Sequence, residues 1–214
     1  MLSWLEALII LLVLTNFALL GSSRLASLIR LVALQGMLLG IITIASQPGA
    51  ASARIYILAL GNIATKCLLF PWLFYRAVKE VNIRREVEPY VGYNLSLLAG
   101  VISFGLSLWL GDRLPFPTKA FSDLAVPTVF FMLWVGLLLI ISRNKAITQV
   151  VGYLVMENGI YLFGISFVEA APLFVELGVL LDVIVGVFIM GIIIHQIDRQ
   201  FDTLHVGQLA NLKD

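Results

Sequence analysis

Charged residues are scarce in this sequence: aspartate, glutamate, lysine and arginine together make up 13% of its 214 residues. Soluble globular domains carry about 25% of these residues, so the shortage argues against an ordinary soluble domain. Hydrophobic residues make up 60% of the chain, and its mean hydropathy is +1.00. These values predict an integral membrane protein.

Groups that bind metals or cofactors are also rare. Cys67 is the only cysteine, which excludes an intrachain disulfide, and it lies in an apolar run where a small buried thiol is expected. His195 and His205 have no companions at metal-ligand spacing, so we expect no metal site. The sequence has no glycine-rich nucleotide motif, and we expect no cofactor. A net charge of +1 without basic–aromatic clusters gives no indication of nucleic-acid binding.

Long apolar runs dominate the sequence instead. A helix needs about 20 apolar residues to cross the hydrocarbon core of a bilayer. Polar or Gly/Pro segments separate seven such runs, at residues 2–20, 25–45, 54–75, 91–110, 124–141, 147–167 and 172–195. We therefore predict an all-α, polytopic membrane protein with about seven transmembrane helices.

The positions of lysine and arginine predict how these helices are oriented, because cytoplasmic loops carry an excess of both. Three basic residues fall on one side of the predicted spans: Arg54, Arg113 and Lys119. Ten fall on the other: Arg24, Arg30, Arg76, Lys79, Arg84, Arg85, Arg143, Lys145, Arg199 and Lys213. This bias predicts an N-terminus outside and a C-terminus in the cytoplasm. We expect residues 1–214 to form a single membrane domain, with four spans in 1–110, three helices in 124–195 and a cytoplasmic tail at 196–214.

Four ionisable residues fall within the predicted spans: Lys66, Glu157, Glu176 and Asp182. A charge near the centre of a membrane helix costs about 2.5–3.5 kcal/mol on insertion scales, and such residues usually pair or line a hydrated route. In a low dielectric the neutral forms of acids and lysines are favoured, so these groups can exchange protons near neutral pH. We predict that the four residues contribute to a proton path.

Smaller residues accompany the acids at helical spacing. Tyr161 follows Glu157 at i+4, on the same helix face. Gly178 and Gly186 flank Asp182 at i−4 and i+4, where small residues allow another helix to approach closely. We expect these three residues to support the two acids.

Two other interpretations of the intramembrane charges stay open. A pair of Lys66 with Glu157 or Asp182 would hold helices together in a purely structural assembly subunit. Pro71 follows Lys66 and leaves the carbonyl of Cys67 without its helical partner, which weakens the helix there. Helices broken at corresponding places in two halves are typical of independent secondary transporters, and Pro71 is the one break of that kind.

Two segments carry a family resemblance: VVGYLVMENGIYLFG (150–164) and LGVLLDVIVGVFIMGIIIHQI (177–197). They resemble the hydrogenase-4 component E group, whose relatives include subunit K of bacterial respiratory complex I and the C subunit of Mrp-type sodium/proton antiporters. In the subunit K pattern a glutamate precedes Met and Asn as Glu-x-Met-x-Asn, whereas here Glu157 directly precedes Asn158. A second acid four residues before a glycine is matched by Asp182.

The resemblance implies a subunit that carries no redox centre of its own within an energy-converting hydrogenase or complex I-like oxidoreductase. Residues 124–195 would be the subunit K-like part and would carry protons, or another ion, laterally through the membrane. The implied partners are antiporter-like and complex I-like membrane subunits and lipids, with a soluble hydrogenase-like arm as an indirect partner. The implied location is the bacterial cytoplasmic (inner) membrane.

Overall fold

The computed structural model describes residues 4–46, 53–80, 91–114, 121–143 and 146–167, together with the single positions 184, 186, 187 and 191. Within these residues the chain forms α-helices and one π-helical segment, with no strand. The prediction of an all-α fold is confirmed for this part of the chain. The helices are α1 (Trp4–Gly21), α2 (Leu25–Ala45), α3 (Ala53–Ala64), α4 (Phe70–Glu80), α5 (Tyr93–Arg113), α6 (Ala125–Ser142) and α7 (Ala146–Ser166).

Four of these helices, α1, α2, α5 and α6, are long and apolar enough to cross a membrane. Helix α7 has 21 residues, but Gln149, Glu157 and Asn158 lower its hydropathy. Six of the seven predicted spans coincide with described helices, whose ends differ from the predicted ones by a few residues. The seventh, 172–195, lies outside the described residues except for four isolated positions, and so does the predicted tail at 196–214. The count of seven and the orientation stay predictions.

The third predicted span lies in one continuous helical run, residues 53–80, which changes from α-helix to π-helix and back in its middle. A π-helical segment, Thr65–Leu69, joins α3 to α4, and the backbone N–H of Phe70 donates to the carbonyl of Thr65, five residues earlier. Pro71 explains this change, because it has no N–H to offer the Cys67 carbonyl and its ring crowds that oxygen. The run is therefore widened at Lys66, where the sequence predicted a weak point.

Glycines set the closest helix contacts. A Cβ atom added to Gly136 on α6 would lie 2.6 Å from the carbonyl oxygen of Gly152 on α7, and one added to Gly152 would lie 2.7 Å from the Gly136 oxygen. On α2, Cβ atoms at Gly36 and Gly40 would overlap the side chains of Lys66 and Ile63. Small residues therefore bring α6 against α7 and α2 against the 53–80 run, as is typical of membrane helix packing.

Buried apolar side chains form two clusters at different levels of the bundle. The first apolar cluster consists of Leu19, Leu20, Leu25, Leu28, Val32, Phe70, Leu73, Phe74, Phe131, Val135, Leu139, Ile147, Val150, Val151, Leu154 and Val155. The second apolar cluster consists of Ile9, Leu12, Leu38, Leu39, Ile42, Ala125, Val129, Met132, Tyr161, Leu162 and Ile165. In α1, α2 and α7 the two clusters use opposite halves of each helix, so the positions between them define a middle layer.

Arg143 directly follows α6 and lies beside the first apolar cluster. Its side chain is fully buried, its Nη2 donates to the carbonyl oxygen of Leu20 at 3.1 Å, and its guanidinium lies 5.0 Å from the centre of the Tyr93 ring. Burial lowers the pKa of Arg143 from its usual value, and its contact with Tyr93 opposes that shift. A cation at the last turn of α1 also interacts favourably with the helix dipole.

Candidate functional site

A lysine and a glutamate meet at the centre of the bundle. Lys66 lies on the π-helical segment and Glu157 lies midway along α7, and each side chain is only 1% exposed. The Nζ atom of Lys66 donates to Oε2 of Glu157 in a buried ion pair. The same Nζ atom donates to Oδ1 of Asn158 at 2.5 Å. The ammonium group is thus held by two consecutive residues of α7.

A chain of hydrogen bonds continues from Asn158 across the bundle to α1. Nδ2 of Asn158 donates to Oε1 of Gln35 at 3.2 Å, and Nε2 of Gln35 donates to Oγ1 of Thr15 at 3.1 Å. The Thr15 hydroxyl in turn donates to the carbonyl oxygen of Leu12 at 2.7 Å. We call this series, from Lys66 through Asn158 and Gln35 to Thr15, the amide chain. Its members are buried and come from four different helical segments.

Tyr161 lies beside the ion pair, one turn after Glu157. Lys66 Nζ lies 5.4 Å from the centre of its ring, within the range of a cation–π interaction. Its hydroxyl oxygen lies 3.2 Å from Oγ1 of Thr43 on α2. Tyr161 therefore contacts the lysine with its ring and α2 with its hydroxyl group.

These polar groups form the middle layer between the two apolar clusters. On α1, Thr15 lies between Leu12 and Leu19, which belong to different clusters, and on α2, Gln35 lies between Val32 and Leu38. Apolar packing on both sides lowers the local dielectric, so an isolated charge would be costly there, while paired and hydrogen-bonded groups are tolerated. The layer is a polar section of the bundle between two apolar clusters.

The structure brings together three of the residues singled out from the sequence: Lys66, Glu157 and Tyr161. The Lys66–Glu157 pair is one of the two pairings considered above. Glu176, Gly178 and Asp182 lie outside the described residues. Gly186 is described as helical, and a Cβ atom added to it would have no neighbour within 4 Å among the described residues.

Sequence reasoning missed the neutral members of the site: Thr15, Gln35 and Asn158. A signal was present, because Gln35 interrupts an apolar run and Gly36 follows it, and Asn158 adjoins Glu157. The amide of Asn62 was missed too, although it donates to the carbonyl of Gly36 at 3.2 Å. The rule on charges inside membrane helices does not select uncharged amides, although each needs a hydrogen-bond partner when it is buried.

Comparison with known proteins decides the family. The chain is 31% identical over 165 residues to hydrogenase-4 component E of Escherichia coli K12, and the match covers 76% of each chain. It belongs to the hydrogenase-4 component E family. Hydrogenase-4 component E of Shigella flexneri matches with the same identity and coverage. The uncharacterized protein Rv0085 of Mycobacterium tuberculosis is 29% identical over 207 residues, which cover 95% of this chain and 93% of that protein.

No family model and no solved structure matches the chain. The family assignment therefore rests on sequence similarity over 76% of the chain. It confirms the resemblance to hydrogenase-4 component E that the segments at 150–164 and 177–197 predicted. Residues 150–164 include three members of the site, Glu157, Asn158 and Tyr161.

Proposed function

We propose that this chain is a membrane subunit of a hydrogenase-type, complex I-like complex, in which the Lys66–Glu157 pair carries protons through the membrane region. Membership of the hydrogenase-4 component E family supports the first part. The observation that carries the second is the burial of a lysine and a glutamate, each 1% exposed, as hydrogen-bonded partners in the apolar bundle. A chain that only needed to span the bilayer would place apolar residues there.

The chemistry required of this pair is a reversible proton transfer. An N–H bond of the Lys66 ammonium breaks, an O–H bond forms on Oε2 of Glu157, and both groups become neutral. Low dielectric favours the neutral forms, whereas the hydrogen bonds from Lys66 to α7 favour the charged ones. Because these two effects oppose each other, a small change in the surroundings of the pair can move the proton.

The remaining parts of the proposal depend in part on residues outside the described ranges. Asp182 would pass protons onward from the pair, Glu176 would act as an outer branch, and Gly178 and Gly186 would allow a neighbouring helix to approach Asp182. Residues 124–195 would correspond to subunit K of complex I and to the C subunit of Mrp antiporters. The chain would lie in the bacterial inner membrane, N-terminus outside, against antiporter-like subunits, and would hold no cofactor.

The test is proton translocation by the assembled complex in inverted membrane vesicles. We expect Glu157→Gln and Lys66→Met each to lower coupled proton uptake strongly while the complex still assembles, and we expect Asp182→Asn to lower it too. Asp112→Asn is the matched control, because it neutralises an exposed acid at the end of α5. Wild-type uptake in both Glu157→Gln and Lys66→Met would remove the proton role.

A purely structural role is the second candidate, and the burial of the pair favours it as well. Partners that are nearly inaccessible to solvent and hydrogen-bonded on several sides can simply join α7 to the 53–80 run. Under this alternative, the double variant Lys66→Met/Glu157→Gln would restore assembly and pump at the wild-type rate. Under the proton proposal, the double variant would assemble but not pump.

An independent transporter is the third possibility, and it has weaker support. The π-helical segment before Pro71 is a local break of the kind that such proteins use. Helix α7, by contrast, is continuous from Ala146 to Ser166. Solute uptake by the purified chain alone in liposomes would favour this reading over the subunit proposal.

A further inference from the structure

Every hydrogen bond of the amide chain points the same way. Lys66 donates to Asn158, Asn158 donates to Gln35, Gln35 donates to Thr15, and Thr15 donates to the backbone carbonyl of Leu12. Each side-chain amide accepts through its oxygen on the Lys66 side and donates through its nitrogen on the Thr15 side. The chain therefore has a single polarity over its whole length.

The chemistry of its two ends fixes that polarity. A lysine ammonium only donates, so Asn158 has to present its oxygen to Lys66 and keeps its nitrogen for Gln35. At the other end, the hydroxyl proton of Thr15 is bonded to the Leu12 carbonyl, so its oxygen can only accept from Gln35. Reversing either amide would place two donors or two acceptors face to face. The hydrogen bond would be lost, and buried polar groups would be left without partners.

We propose that the amide chain is a positioning device that confines the proton exchange of Lys66 to Glu157, with Thr15 and Gln35 acting through Asn158. This inference rests on the proton role proposed above for the Lys66–Glu157 pair. Asn158 offers Lys66 only an acceptor, so it cannot deliver a proton to the lysine. When the proton moves to Glu157, the neutral amine still donates to Asn158 and its lone pair faces the acid that took the proton.

The chain also stabilises the charged form of the pair. Hydrogen bonds in a series polarise one another, so the bond from Gln35 to Thr15 strengthens the acceptor that Asn158 presents to the ammonium. Breaking the far end of the chain should therefore favour the neutral pair. A change at Thr15 on α1 would therefore alter the protonation of Glu157 on α7.

The other groups at the pair are identified from the described residues. Helix α7 presents Tyr161 to Lys66 and Tyr153 to Glu157, and Cys67 adjoins Lys66 on its own segment. Helix α2 presents Gly36 and, through Asn158, the uncharged amide of Gln35. None of these three titratable neighbours belongs to the amide chain, so substitutions at Thr15 leave them in place.

The experiment follows the protonation of Glu157 in the full chain in lipid nanodiscs by infrared difference spectroscopy against pH. The carboxylic acid band of Glu157 is assigned as the one that Glu157→Gln removes. Thr15→Val deletes the acceptor at the end of the chain with almost no change of volume, and Thr15→Ser restores the hydroxyl. Thr128→Val is the matched control, because Thr128 is equally buried on α6 and lies outside the chain.

We expect the midpoint of the Glu157 band to rise by about 0.1 to 0.3 pH unit in Thr15→Val, the fraction of one hydrogen bond that polarisation passes along the chain. It should return to the wild-type value in Thr15→Ser and stay there in Thr128→Val. An unchanged midpoint in Thr15→Val, or an equal shift in Thr128→Val, would overturn the inference. Should Thr15→Val fail to accumulate, Gln35→Met breaks the chain at its middle and has to give the same rise.

Vesicle assays separate this inference from the proposed function. If Lys66→Met and Glu157→Gln abolish proton uptake while the pH profile of Thr15→Val matches wild type, the amide chain is refuted and the proton role stands. If those two variants pump normally but the infrared midpoint still rises in Thr15→Val, the chain controls the pair and the proton role fails.

Discussion

Gly36 on α2 lies directly against Lys66, so close that any side chain at position 36 would overlap the lysine's own Cβ atom. The absence of a side chain there lets the π-helical segment approach α2, and this approach brings Lys66 to the level of Glu157. The position of the lysine is therefore set by a residue that makes no polar contact with it through a side chain.

We predict that Gly36→Ala destabilises the chain by about 1–3 kcal/mol, the usual cost of forcing extra atoms into a packed contact. It should also move Lys66 away from Glu157 and lower proton uptake. Gly61→Ala is the control on the 53–80 run, because a Cβ atom there meets no described residue within 4 Å. Thermal unfolding in detergent measures the difference, and equal midpoints for the two variants would contradict the close contact.

The ion pair predicts a strong non-additivity. Removing one partner of a buried pair leaves a charge without compensation, which costs about 3–5 kcal/mol, whereas replacing both partners costs much less. We expect Lys66→Met and Glu157→Gln each to lower the unfolding temperature, and the double variant to recover most of the loss. A double variant whose loss equals the sum of the two single losses would show that the residues do not interact.

Tyr161 allows its two contacts to be separated. Tyr161→Phe removes the hydroxyl that meets Thr43 and keeps the ring beside Lys66. We expect it to cost about 1 kcal/mol of stability, the net value of one hydrogen bond, with little effect on proton uptake. Tyr161→Leu also removes the ring and should alter the pH profile of uptake, so identical profiles for the two variants would exclude a role for the ring.

The contact between α6 and α7 can be tested at Gly152. A Cβ atom there would lie 2.7 Å from the Gly136 carbonyl oxygen and 3.0 Å from the backbone nitrogen of Ile140, both of which are fixed in a helix. We expect Gly152→Ala to separate the two helices and reduce the amount of folded chain recovered from membranes. Gly105→Ala on α5 is the control, since a Cβ atom there meets nothing within 4 Å in the described part of the chain. Equal recovery of both variants would count against this packing.

Sequence pattern predicted the helices well, because a bilayer imposes a length and an apolar composition on each span. The runs at 25–45 and 147–167 agree with α2 (Leu25–Ala45) and α7 (Ala146–Ser166) to within a residue. The rule that a buried charge needs a partner also selected Lys66 and Glu157 from the sequence alone. These conclusions depend on local chemistry, which the order of residues contains.

The amide chain could not be predicted in the same way. Asn158 and Gln35 are 123 residues apart in sequence, as are Arg143 and Leu20. Contacts between such residues depend on the axial position and rotation of each helix relative to its neighbours.

By itself, the sequence determined an all-helical chain with charges placed inside apolar helices, because hydropathy and charge act on each segment separately. Only the tertiary structure decided that Lys66 pairs with Glu157 and that amides from α2 and α7 join them to Thr15. Those choices follow from close packing at glycines such as Gly36 and Gly152, which fix the level and rotation of whole helices.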